Sequence, residues 1–180
     1  MKPYTDMMMD LETLSTNTNA VILQVGWVFF DRNNSERKMF SRGWYPDIEE
    51  QQAMGFQIDI STLEWWMQDH AEEYRVQQHA NRLPADQIAY EMRSIWDSAG
   101  DDGTQVWAKG THFDFPIYRK LFPELWHFRF IHDLRTLKLA GEMRRINVET
   151  HNDRPHDAVA DAETQAKEVQ VLCSTISLDI

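Results

Sequence analysis

Asp10 and Glu12 stand two residues apart inside the apolar run Met7-Met8-Met9-Asp10-Leu11-Glu12-Thr13. On a strand that spacing sends both side chains to one face, roughly 6–7 Å apart along the backbone. Two carboxylates so placed suit a pair of divalent cations about 3.5–4 Å apart, which need several hard oxygen ligands to balance their charge. A chain with 29 acidic residues also produces such a pair by chance, as an ordinary solvent-facing strand end. The apolar surroundings favour the first reading, because burying two like charges is costly without a cation.

Two more stretches carry the same chemistry. Asp114, in His112-Phe113-Asp114-Phe115-Pro116-Ile117, follows a short apolar strand through a loop containing Gly110. That is where ligands sit in α/β sheets, although an Asp at a helix start also serves as a plain cap. The third stretch is His156-Asp157-Ala158-Val159-Ala160-Asp161. Inside one helix, His156 and Asp161 would lie about 140° apart around the axis, at about 100° per residue. Pro155 breaks helix, so His156 is expected on the entry loop, where it can move as a base, while Asp161 projects from the helix toward the sheet as a ligand. Surface roles for both remain the alternative.

Positioning these groups requires a sheet. Residues 6–14 and 20–31 read as buried strands, and 36–44 as a third strand of a meander joined by Ser, Thr and Asn turns. Ser61-Thr62-Leu63-Glu64 has the form of a capping box opening a helix, and the spacing from Pro84 to Gly100 predicts another. A strand at 104–108, a helix at 114–122 with Pro116 in its first turn, a strand at 128–131 and a helix at 134–143 follow. Residues 147–155 read as a loop. Val159, Ala162, Ala166, Val169, Leu172 and Ile176 recur along one face of a last helix. Strands first and helices afterwards imply an α/β class with a mixed sheet, with residues 1–180 as a single domain.

The three motifs, in this order, resemble the DEDDh family of 3′-5′ exonucleases. Trp65-Trp66 and His132-Asp133-Leu134-Arg135-Thr136 are similar to the small exoribonuclease group that includes RNase AS and phage exonuclease A. The resemblance implies an RNase H-like fold with a mixed five-stranded sheet. It also implies two Mg²⁺ or Mn²⁺ held by Asp10, Glu12, Asp114 and Asp161, with His156 taking a proton from the attacking water. The substrate would be a single-stranded RNA or DNA 3′ end, the product a nucleoside 5′-monophosphate, and the assembly a homodimer. Candidate substrate contacts are Leu11, Thr13, Trp66 and Phe113, with Lys109 and Arg135 as phosphate contacts. Neighbouring residues on a helix face different ways, so at most one of Trp65 and Trp66 is expected to reach a base; both also suit a core.

A net charge of -11 argues against holding nucleic acid through phosphate contacts alone. One cysteine, Cys173, fits a reducing cytosol, and neither an export signal nor a membrane span is apparent, so the expected location is cytoplasmic. Two rivals remain: a helical metal phosphohydrolase built on His132-Asp133 and His156-Asp157, and an RNase H-like binding module without catalysis.

Overall fold

A computed structural model describes residues 3–148 and 150–176; Glu149, in the expected loop, and the ends of the expected 1–180 domain lie outside them. Three strands open the chain: β1 (Asp6–Thr13), β2 (Ile22–Phe30) and β3 (Phe40–Trp44). Helices α1 (Ile48–Ala53), α2 (Ile60–Asp69), α3 (Ala71–Gln78) and α4 (Ala85–Ala99) follow. Then come β4 (Gln105–Ala108), α5 (Thr111–Leu121), β5 (Ile131–Asp133), α6 (Leu134–Met143) and α7 (Ala158–Ile176). The strands form one mixed sheet in the order β3-β2-β1-β4-β5, with β1 antiparallel to β2 and parallel to β4. Such a sheet excludes the all-helical phosphohydrolase.

The pleat of β1 decides what each residue meets. Met7, Met9 and Leu11 enter a core with Trp27, Trp96 and Tyr118, whereas Met8 enters a second core with Trp107, Leu134 and the apolar stripe of α7. Asp6, Asp10 and Glu12 have the parity of Met8, so they face the α7 side. At the far end of the strand Asp6 is fully buried and compensated: it accepts from Arg32 Nε at 3.0 Å and from Trp107 Nε1 at 2.8 Å.

Several boundaries differ from expectation. The capping box at Ser61 does not start its helix. α2 begins at Ile60 behind Asp59, whose carboxylate instead accepts from Ser15 Oγ at 2.7 Å and Asn17 Nδ2 at 3.1 Å. α5 begins three residues before Asp114, so Pro116 lies in its second turn. Residues 128–130 form a single 3-10 turn ahead of β5 rather than a strand. The third strand starts at Phe40, four residues later than predicted. α1 and α3 were not foreseen.

Candidate active site

α7 reaches the sheet because two residues of β2 make room and supply a partner. Gly26 pairs with Asp10, and a Cβ on it would sit 2.3 Å from the carbonyl oxygen of Ala158, so only glycine lets the helix start lie against the strand. Gln24, pairing with Glu12, accepts the Ala158 amide at 2.9 Å, and Asp157 caps the amides of Val159 and Ala160 at 3.0 Å. The first turn of α7 is thereby fixed beside the second half of β1.

Asp161 projects from that turn and His156 stands before it. His156 has a φ of 60°, in the left-handed region that is uncommon outside glycine. Its backbone amide donates to Asp161 Oδ2 at 2.9 Å, while Asn152 Nδ2 donates to Oδ1 at 2.8 Å. Ligating atoms of Glu12, His156 and Asp161 lie within 4.8 Å of one another. Asp10 is tied back to α7 by a 2.8 Å bond from Gln165 Nε2, and the carbonyl oxygen of that buried side chain has no partner among the described residues. Asp114 is buried at the start of α5.

The carboxylates feel one another. Burial, reinforced by the charges of Asp10 and Asp161, pushes Glu12 up to about 10. Burial also pushes Asp10 up to about 7, against the Gln165 bond and with the Asp161 charge adding. Asp114 rises well above the usual carboxylate range through burial and the charge of Asp10, and Asp161 rises through burial. Burial is the larger cause throughout; the charge coupling runs among Asp10, Glu12 and Asp161, and Asp114 joins it through Asp10. His156 moves the other way: burial lowers it, and the neighbouring His70 adds to the effect.

A cleft of about 430 Å³ opens beside Glu12, lined by Leu11, Thr13, Trp65, Trp66 and Phe113 among others. Of the two tryptophans, Trp66 is 1% exposed and donates its indole N–H to the Thr13 carbonyl, which leaves little of it for a base; Trp65 is 39% exposed. Thr13 Oγ1 is spent on the Ser15 carbonyl at 2.8 Å. Leu11 packs mainly into the opposite core, and Phe113 is half-buried. Lys109 and Arg135 lie near the cluster and oppose the upward shifts of Asp10 and Asp114 respectively. Sequence reasoning missed His70, whose ring centroid lies 4.1 Å from both His156 and Trp65. It also missed Asn152 and Gln165; Gln165 alone left a signal, as a polar residue at the edge of the α7 stripe.

Among solved structures, cell-death related nuclease 4 (CRN-4) matches with a TM-score of 0.62 at 14% identity, over 96% of this chain and 65% of that one. The chain therefore spans just under two thirds of CRN-4. The RNase domain of the yeast Pop2 protein gives 0.53 at 10% identity over 97% of this chain and 78% of that one. Exonuclease X, solved in complex with 5′ overhanging duplex DNA, gives 0.50 at 14% over 96% and 93%. At such identities the likeness is one of fold, and that fold is RNase H-like. No curated protein matches by sequence. A family model does, over residues 5–173, nearly the whole length. The chain belongs to the family of Rv2179c-like 3′-5′ exoribonuclease domains.

Proposed function

We propose that this protein removes nucleotides from the 3′ end of single-stranded RNA, releasing nucleoside 5′-monophosphates, with two divalent cations, Mg²⁺ or Mn²⁺, in the acidic cluster. One observation carries this reading: Glu12 of β1 and His156 and Asp161 at the start of α7 bring ligating atoms within 4.8 Å of one another, and the buried carboxyl of Asp10, on the same face of β1, is bonded to Gln165 of α7. Carboxyl groups gathered in this way offer the hard oxygen donors that Mg²⁺ and Mn²⁺ take. The family description favours RNA over DNA.

Asp10, Glu12, Asp114 and Asp161 would hold the ions, which when bound lower the pKa of water and offset charge on the reacting phosphate. The residues do the remaining work. His156, lowered by burial, is neutral near pH 7 and accepts the proton of the attacking water. Its backbone amide, bonded to Asp161, sets the base and a ligand at a defined separation. Trp65 and Phe113 line the cleft where a terminal base would stack. Gln165 occupies one oxygen of Asp10 and leaves the other for a cation.

The deciding experiment is digestion of 5′-end-labelled RNA and DNA oligomers with Mn²⁺, Mg²⁺ or EDTA. A ladder shortening from the 3′ end, metal-dependent and faster on RNA, is the expected outcome. Binding without release of mononucleotides would instead establish the non-catalytic module.

A further inference from the structure

The chain carries 18 basic residues against 29 acidic ones, yet four of the basic residues line a single cavity of about 530 Å³. Arg32, Arg37 and Lys38 reach it from the β2–β3 connection and Lys167 from the outer side of α7, with the hydroxyls of Ser35 and Ser174 on the rim. No carboxylate is among its lining residues, whereas the cavities beside His156 and beside Trp126 both include two or more. Arg32 is buried and anchored to Asp6 at 3.0 Å, and Arg37 to Asp31 at 2.9 Å; these two fix the floor in place. Lys38 and Lys167 are exposed. The exposed ammonium groups of Lys38 and Lys167, beside hydroxyl donors and two guanidinium groups already held by carboxylates, suit phosphate oxygens.

We propose that this cavity is a second, non-catalytic site for backbone phosphates of the substrate strand upstream of its 3′ end. The inference rests on the exonuclease reading above. Two features favour a strand over a small ligand. A chain of net charge -11 repels a polyanion except where cations gather, and this cavity is such a place. It also lies along the same helix that carries Asp161: Lys167 is six residues and Ser174 thirteen residues further on, about 9 and 20 Å at the helical rise. A stacked strand rises about 3.4 Å per nucleotide, so the phosphates engaged would be roughly the third to the sixth from the scissile bond.

The test compares the wild-type chain with the double variant Lys38→Gln/Lys167→Gln, on a dinucleotide and on an oligomer of about ten nucleotides sharing its 3′ end. For the longer RNA the variant's KM should rise on the order of 5- to 20-fold with kcat unchanged, and the salt dependence of binding should flatten by about 1.4 in log–log slope, about 0.7 per lost contact. The dinucleotide, too short to reach, should be turned over as by wild type, and Lys38→Arg/Lys167→Arg should restore the longer substrate. Anisotropy of the labelled longer RNA in EDTA reads the same loss without catalysis, and wild-type turnover of the dinucleotide reports separately on the exonuclease reading. An equal loss on both substrates, or no loss on the longer one, overturns the proposal. So does a nucleoside 5′-monophosphate that inhibits wild type, spares the variant and leaves oligomer affinity equal, since the cavity then holds a small ligand.

Discussion

Removing the imidazole of His156 separates its proposed role from that of the carboxylates. The His156→Ala variant should lose about 10²- to 10⁴-fold in kcat, the usual contribution of a general base, yet bind Mn²⁺ within a few-fold of wild type. Calorimetry would contradict the assignment if metal affinity collapsed along with turnover. The carboxyl groups would make both the proposed metal binding and the stability depend on pH. Asp10 rises from an ordinary 3.8 to about 7 and Glu12 from 4.5 to about 10, so the folded chain keeps protons that the unfolded chain has released. Stability from this source is full below about pH 4 and drains away as pH climbs through 7. In EDTA the Tm should therefore fall between about pH 5 and 8, and saturating Mn²⁺ should raise it most at the alkaline end. A metal-free Tm that climbs over this window would deny these upward shifts.

At the scale of elements, the junction of α7 with β2 is the part on which the cluster depends. In Gly26→Ala the new methyl group would meet the Ala158 backbone at 2.3 Å, and backbone cannot swing aside as a side chain does. Overpacking of this kind costs about 1–3 kcal/mol, and here the strain falls on the turn bearing Asp161 and His156. In Gly43→Ala the one close approach is to a side-chain atom, Val159 Cγ2 at 2.7 Å, with Gln24 and Val25 at ordinary contact distance. The first variant should lose activity well beyond what its Tm explains, and the second should keep most of it; equal behaviour in a paired melt and activity assay would show that the junction does not govern the site. What was legible in the sequence follows the same division. α7 announced itself by an apolar stripe of 3.6-residue period, and β1 by a continuous apolar run, since it is buried on both faces. α1 and α3, with sequences IEEQQA and AEEYRVQQ, have too few apolar residues to show a period, and they are held by tertiary contacts such as Gln77 Nε2 to Gln24 Oε1 at 2.8 Å. Asp10, Glu12, Asp114, His156 and Asp161 stand out as candidates by type and spacing alone. Their supporting residues do not: Gln165 meets Asp10 across 155 positions, and no local pattern encodes such a pairing.

For the molecule as a whole, β1 joins two opposite uses of a buried carboxylate. At its start Asp6 is fully matched by Arg32, Trp107 and Thr5, and at its end Asp10 and Glu12 are crowded by other acids. Asp6→Asn removes the charge that meets the buried Arg32 Nε at 3.0 Å and should cost about 3–5 kcal/mol, the usual penalty for breaking a buried pair. Asp10→Asn relieves repulsion and should raise the Tm in EDTA at about pH 8 while weakening Mn²⁺ binding. Urea titration of both variants distinguishes the poles: if both substitutions destabilise alike, the strand does not divide in this way. No described helix is long and apolar enough to cross a membrane.

The left-handed backbone of His156 also decides how a substrate complex is best captured for crystallography. A β-branched replacement would fight its φ of 60° and unseat the entry turn, confounding lost chemistry with altered shape. Asparagine, several-fold enriched in that region among non-glycine residues, keeps the turn while lacking an imidazole. His156→Asn is therefore the inactive form in which an uncleaved strand should accumulate, with its amide still directed at Asp161.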